Sequence, residues 1–276
     1  MEDGQAQKRK SRQRRKQCIV LIFVAVVLVV LAIVLWLVLR TSEHEEFKRV
    51  FTSRCDAYGG GYDCAKTWSA FEQAYVGKDP CFVPPESYQA LIEAAPIKPD
   101  CNRMMFWSKT KDVVHDFTSK KECFITMEDT FVGSVLDGLT WCSKVGSKET
   151  FTSGCPGWSD CVNNTVRSFW SKASASFAQV ACGKVSVMLN GSIATPFSPA
   201  SIFASIEVKN FNPDNMKSLE VVLVTQDKEV SNCANPSLQD LQKELAQGIS
   251  YSCSEVPESQ IEECASDPEK PCGSCW

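Results

Sequence analysis

The longest apolar run of the chain, Cys18 to Leu39, holds 22 residues without a charge. A helix rises about 1.5 Å per residue, so the run reaches roughly 33 Å, enough to cross a bilayer core. A secretory signal has a shorter apolar region and a small-residue cleavage site, and neither is present. The run therefore reads as an uncleaved anchor, with a basic tail at 1–17 before it and a stalk at 40–54 after it.

Beyond the stalk the pattern changes twice. Helical spacing marks 67–76, 86–95 and 166–182. In ITMEDTFVGSVLDGLTWC (125–142), Phe131, Val135 and Leu139 with Val132 and Leu136 form one stripe, and Thr126 reads as an N-cap with Asp129 three residues on. Past residue 182, short Val/Ile/Leu runs at 184–189, 201–208 and 219–225 are bounded by Gly, Asn and Pro and read as strands. A helix at 236–249 and a short strand at 251–253 follow. Gly59-Gly60-Gly61, 78–85, 98–101 and 152–161 read as turns. Near-continuous apolar strands joined by helices indicate a small, largely parallel sheet. The expected fold is thus α/β (α+β): a mostly helical lobe, about 55–100 and 126–181, packed on a sheet lobe, about 101–125 and 182–276. A cleft between them is the expected ligand site.

Charge orients this chain. Residues 1–40 carry +6 and the remaining 236 carry −10, against −4 overall. Seven cations precede the apolar run and only Arg40 follows at once, which puts the N-terminus in the cytosol. The expected protein is a single-pass type II protein of the plasma membrane, with the lipid bilayer as a partner through 18–39 and its mass extracellular. Fourteen of the 15 cysteines lie beyond the run, an even number that indicates up to seven disulfides. Only Cys272-Gly-Ser-Cys275 has metal-like spacing, and no second pair supports it, so no metal is expected. Asn163 and Asn190 head glycosylation sequons.

Composition also removes several chemistries. The chain has two histidines, His44 and His115, and His44 falls in the stalk, so a histidine-based triad would rest on His115 alone. No dinucleotide fingerprint or phosphate loop is present. An acidic ectodomain argues against nucleic acid as a partner. Carboxylates and tryptophans remain. Asp129 is explained as a cap and Glu128 as a favourable charge at a helix start; Asp137, among apolar neighbours, is not explained. Trp107 and Trp170 each sit where an apolar run turns polar, which fits a pocket rim and a core element end alike. Glu207 stands near the end of the strand read at 201–208, where open α/β sheets bind ligands and where strands also emerge into water.

FWSKTKD (106–112), MEDT (127–130), LDGLTWC (136–142), CVNN…FW (161–170), VMLNGS (187–192) and SIEVKN (205–210) resemble the ADP-ribosyl cyclase / cyclic ADP-ribose hydrolase family from about Cys55 onward. The resemblance implies a surface NAD glycohydrolase and ADP-ribosyl cyclase, with NAD, NADP and cyclic ADP-ribose as substrates and no cofactor. It implies that Glu207 is the catalytic carboxylate, that Trp107 and Trp170 wall the nicotinamide, and that Glu128 is the second acid. Asp137 would bind the nicotinamide amide; Ser108, Lys109 and Phe203 would line the diphosphate side. Ile202, Lys109 and Gly138 depart from the family's residues, and Lys109 replaces a bidentate fork with a point charge. Cys123 and one of Cys272 or Cys275 are surplus to the family's set and are expected to pair. A homodimer stays open as a partner, and a catalytically silent receptor or adhesion ectodomain is the alternative function.

Overall fold

The computed structural model describes residues 2–98 and 101–276, with the side chains of 2–18, 20 and 37–42 left aside. The chain forms two units, Met1–Arg49 and Val50–Trp276. The first lies on helix α1 (Glu2–Tyr58). Ile19 and the large apolar residues described between Leu21 and Trp36 all stand exposed on it. Among the described residues no helix is long and apolar enough to cross a membrane. Only part of the side chains of the span read at 18–39, and none of those of the basic tail at 1–17, fall within that description.

The second unit begins inside the segment read as a stalk, because Phe51 is buried against Trp68 and Phe71 at 5.1 and 5.3 Å between ring centroids. Helix α2 (Cys64–Tyr75) starts on Asp63, whose side chain accepts from Lys66 N. A 3₁₀ turn (Pro85–Tyr88) runs into α3 (Gln89–Ala94). These helices surround an aromatic core in which Trp141 Nε1 donates to Tyr88 Oη at 3.0 Å and Tyr88 Oη donates to Thr165 O at 2.9 Å. Both polar groups are buried and paired, so neither carries an unmet desolvation cost.

Four strands form one sheet in the order β1-β2-β3-β4, every pair parallel. They are β1 (Met104–Ser108), β2 (Gly183–Asn190), β3 (Met216–Thr225) and β4 (Ser250–Pro257). Val185, Val187, Met188 and Leu189 are buried, as are Val221 to Val224, which is how apolar side chains behave when both faces of a sheet are covered. The remaining helices are α4 (Lys111–Lys120), α5 (Phe131–Leu136), α6 (Thr165–Gln179), α7 (Val208–Asn210), α8 (Pro236–Glu244) and α9 (Glu258–Ser266).

Two sequence-based expectations are corrected. The strand read at 201–208 is helical: a π-helix, Phe203–Glu207, continues into α7. Its buried residues are Phe203, Ala204, Glu207 and Val208, a helical spacing, and Ser201 Oγ accepts from Ala204 N at its start. The helix expected from Thr126 begins instead at Phe131, capped by Thr130. Asp129 still reaches back to Thr126, but across a turn rather than into a helix. Strand β1 and helices α4 and α9 went unread; β1 is five residues long and too brief for periodicity to declare.

All fourteen cysteines past the apolar run are paired, as Cys55–Cys64, Cys81–Cys161, Cys101–Cys182, Cys142–Cys155, Cys233–Cys253, Cys264–Cys275 and Cys123–Cys272. Such usage belongs to a chain that matures in an oxidising compartment. The last pair agrees with the expectation for Cys123. Peptide mapping of a non-reduced digest is expected to recover residues around 123 joined to those around 272; finding either cysteine as a free thiol would contradict this pairing. Replacing both by Ser is expected to cost about 2–4 kcal/mol of stability.

Candidate active site

A cavity of about 560 Å³ opens at the carboxyl end of β1 and is lined by Trp107, Ser108, Lys109, Glu128, Asp137, Trp170, Phe203 and Glu207. Every substrate-site residue expected from the sequence is therefore on one wall or another of a single hollow. That is where an open parallel sheet leaves room for a ligand.

Strand β1 delivers Trp107 and Ser108 directly. Lys109 then adopts φ 62, a conformation rare for a residue with a side chain, and its carbonyl accepts from Asn190 Nδ2 at 3.1 Å. Asn190 Nδ2 also donates to Gln226 Oε1 at 2.5 Å. A glycan on that nitrogen would require one of these bonds to be given up, since the linked amide keeps a single hydrogen. Asn163 lies far from this arrangement, in a short bridge with Phe82.

The two adjacent acids are pulled to different tasks by the turn that carries them. Asp129 Oδ2 accepts from Thr126 N at 2.7 Å and from Thr126 Oγ1 at 2.9 Å, which locks the turn. Thr130 Oγ1 donates to Met127 O at 2.6 Å and accepts from Gly133 N. A Cβ at Gly133 would lie 2.0 Å from Met127 O and 2.8 Å from Glu128 Cα, so only glycine lets α5 pass beneath this turn. Glu128 is thereby held toward the cavity, where its Oε2 accepts from Trp107 Nε1 at 3.2 Å and lies 3.5 Å from His115 Nε2. Burial disfavours the Glu128 charge, but His115 and Trp107 outweigh it and hold the carboxyl below its usual range.

Asp137 ends α5 and pairs with Lys111 at 3.4 Å. Gly138 follows at φ 71, a left-handed conformation that suits glycine at a helix end. Trp170 projects from α6, braced edge-on by Phe169 at 5.0 Å, which itself packs on the buried Trp141. Phe203 is buried among Phe106, Phe197 and Phe211.

Glu207 occupies the π-helix and is only 6 % exposed. A π-turn inserts an extra residue into a helix, a distortion common at functional sites. Loss of water pushes the Glu207 carboxyl up to about 8; a hydrogen bond with Ser174 of α6 opposes that rise, and the negative charge of Glu128 adds to it. Glu128 is thus held ionised at neutral pH, while burial keeps the proton on Glu207.

Sequence reasoning missed four residues of this site. Trp158, Arg167 and Ser174 line the cavity, and the Arg167 guanidinium lies 6.0 Å from the Trp158 ring. His115 stands behind Glu128. Arg167 and Ser174 lie three residues before and four after Trp170 on α6, a helical spacing that could have flagged them.

A buried carboxyl, a second acid and two indoles thus line one cavity, which is the make-up of an enzyme site. A profile of the ADP-ribosyl cyclase family matches residues 44–273. The rat ADP-ribosyl cyclase/cyclic ADP-ribose hydrolase 1 is 34% identical over 250 residues, 86% of this chain and 82% of its own. A porcine CD38 structure with a covalent intermediate, ribo-F-ribose-5'-phosphate, has a TM-score of 0.73 at 34% identity, covering 76% of this chain and 96% of that one. An Aplysia cyclase structure with substrate NGD and product cGDPR also has a TM-score of 0.73, at 28% identity, covering 82% and 95%. The chain belongs to the ADP-ribosyl cyclase family.

The raised Glu207 has a thermodynamic consequence. The unfolded chain gives up this proton near its ordinary value while the folded chain keeps it to about 8, so stability falls as pH rises through that interval. In Glu207→Gln the loss is removed. The variant is expected to gain no thermal stability over the parent near about pH 4 and to gain on the order of a few kcal/mol by about pH 8. Thermal denaturation midpoints across that range check it; a pH-independent difference would contradict it.

Proposed function

We propose that this protein cleaves the nicotinamide–ribose bond of NAD, releasing ADP-ribose and cyclic ADP-ribose, and that it also hydrolyses cyclic ADP-ribose. The observation that supports this reading most is the single cavity shared by Glu207, Trp107 and Trp170. In NAD the nicotinamide is bonded as a pyridinium and leaves as a neutral ring, so it needs no proton from the enzyme. An ordinary glycosidase needs an acid for its leaving group and uses two carboxylates at the reacting centre. Here Glu207 alone can stabilise the developing ribosyl cation or bond to it. A carboxyl with little water around it is worth most at the point where positive charge appears.

The arrival of the substrate prepares the catalyst. A pyridinium between Trp107 and Trp170 favours the Glu207 anion by direct attraction, so the proton departs as the cation binds. Stacking and cation–π attraction contribute about 1–2 kcal/mol per indole. Asp137 binds the nicotinamide amide, and Ser108, Lys109 and Phe203 border the diphosphate. Water then captures the ribosyl centre to give ADP-ribose, or the substrate's own adenine does so to give the cyclic product. Glu128 on the opposite wall acts on that division. NADP is read as a second substrate of the same site.

In this reading the chain is a type II membrane protein anchored through 18–39, with the catalytic unit outside. Support comes from the uncharged, exposed helix face at Ile19 and 21–36, since a helix apolar all round suits lipid. Asn163 is the better glycan acceptor of the two sequons, since Asn190 already uses both amide hydrogens.

Incubating the purified full chain with NAD and assaying nicotinamide is expected to show turnover that Glu207→Gln lowers by several orders of magnitude. Near-parental turnover in that variant would reject the assignment. Glu128→Ala is expected to raise the cyclic share of the product, and an unchanged share by chromatography would remove Glu128 from that role.

A further inference from the structure

His115 is a half-buried titratable group that the proposed chemistry leaves unused. It projects from α4 and meets two members of the cavity wall at once. Its ring stands edge-on to Trp107, with centroids 5.6 Å apart and planes at 82°. Its Nε2 is buried, makes no hydrogen bond, and lies 3.5 Å from Glu128 Oε2, an ion-pair separation. Trp107 Nε1 donates to that same oxygen, so one indole and one imidazole converge on a single carboxylate atom.

We propose that His115 is a positioning residue for Glu128, and that its charge sets how the ribosyl intermediate divides between water and the adenine ring. The inference rests on the reading of the cavity given above. Protonated, His115 neutralises Glu128 and holds it against the wall beside Trp107. Deprotonated, it leaves a carboxylate with full charge facing the cavity, better able to orient a water or accept from it. If removing Glu128 favours the cyclic product, as expected above, releasing Glu128 from its counter-charge favours the hydrolytic one. The cyclic share therefore falls as pH rises through the titration of His115.

The charges that face His115 are few. Glu128 comes from the turn before α5, Asp137 from the end of α5, and Lys111 from its own helix. On the far side α4 meets α9 through Ile261 and Ala265, which are apolar. Pairing with Glu128 raises the imidazole above its ordinary value; burial and Lys111 oppose this and Asp137 assists. The change thus falls on the alkaline side of a free histidine, inside the range where the enzyme can be assayed. Glu207 titrates near there too, but it governs how fast the intermediate forms, whereas the product ratio reports only how it is consumed.

The test uses the full chain, NAD as substrate and chromatography of both products between about pH 5.5 and pH 9. The ratio of cyclic to linear product is expected to fall by about threefold to tenfold across the range, a change of the size an ion pair in a partly buried site supports. His115→Gln is expected to give a low ratio that no longer responds to pH, and Glu128→Gln a high one that also does not respond. A pH-independent ratio in the parent, or an unchanged dependence in His115→Gln, overturns the proposal while nicotinamide release leaves the reading of the cavity standing. No nicotinamide release from the parent ends both. If His115→Gln fails to fold, proton NMR decides. The chain has only two imidazoles, and Glu128→Gln must lower the titration midpoint of one of them; no movement of either overturns the proposal.

Discussion

A carboxyl group with almost no water around it is the condition on which this molecule turns. Glu207 is held under α6 and beside the sheet, in a place where its own charge is disfavoured. Burial of an acid without a cation is normally a defect that selection removes. In the proposed reading the substrate supplies that cation, with its flat ring between Trp107 and Trp170. The stability lost by burying Glu207 is then the condition for meeting that charge. The apolar sheet and the seven covalent links around it provide the reserve against which that loss is set.

The second acid is handled in the opposite way. Glu128 keeps its charge because the Trp107 indole donates to it and His115 stands at ion-pair distance, while its neighbour Asp129 turns back onto Thr126. Consecutive acids point apart because Gly133 lets a helix run directly beneath their backbone. Such a turn is a small mechanical part with three fasteners, and it fixes where one carboxylate enters a cavity built by distant elements. The contrast between Glu128 and Glu207 is what allows one site to keep one acid ionised and the other neutral at the same pH.

How much of this was legible in the sequence differs from residue to residue. The sheet at 184–189 and 219–225 was plain, since only strands covered on both faces are so uniformly apolar. The segment 201–208 misled because Ile, Phe, Ile and Val are strand formers; the helical spacing of its buried positions was the signal, and a π-turn obscures even that. Trp107 and Trp170 could not be told from core tryptophans by pattern, because a half-buried indole beside polar residues has the same neighbours in sequence in both cases. Family resemblance chose among the candidates that periodicity left open. His115 escaped notice because it was weighed only as a nucleophile's partner, and its actual neighbour is thirteen residues away across a turn.

The bond between Cys123 and Cys272, together with that between Cys264 and Cys275, gives the short segment 272–275 a weight out of proportion to its length. Loss of Cys272 and Cys275 would touch no part of the cavity, yet it would strand Cys123 and Cys264 as two unmatched thiols in a chain that otherwise pairs every cysteine past residue 39. Those orphans could join each other or invade the five remaining links. A lesion in this short segment would therefore be experienced as a failure of secretion quality control, not as an enzymatic defect.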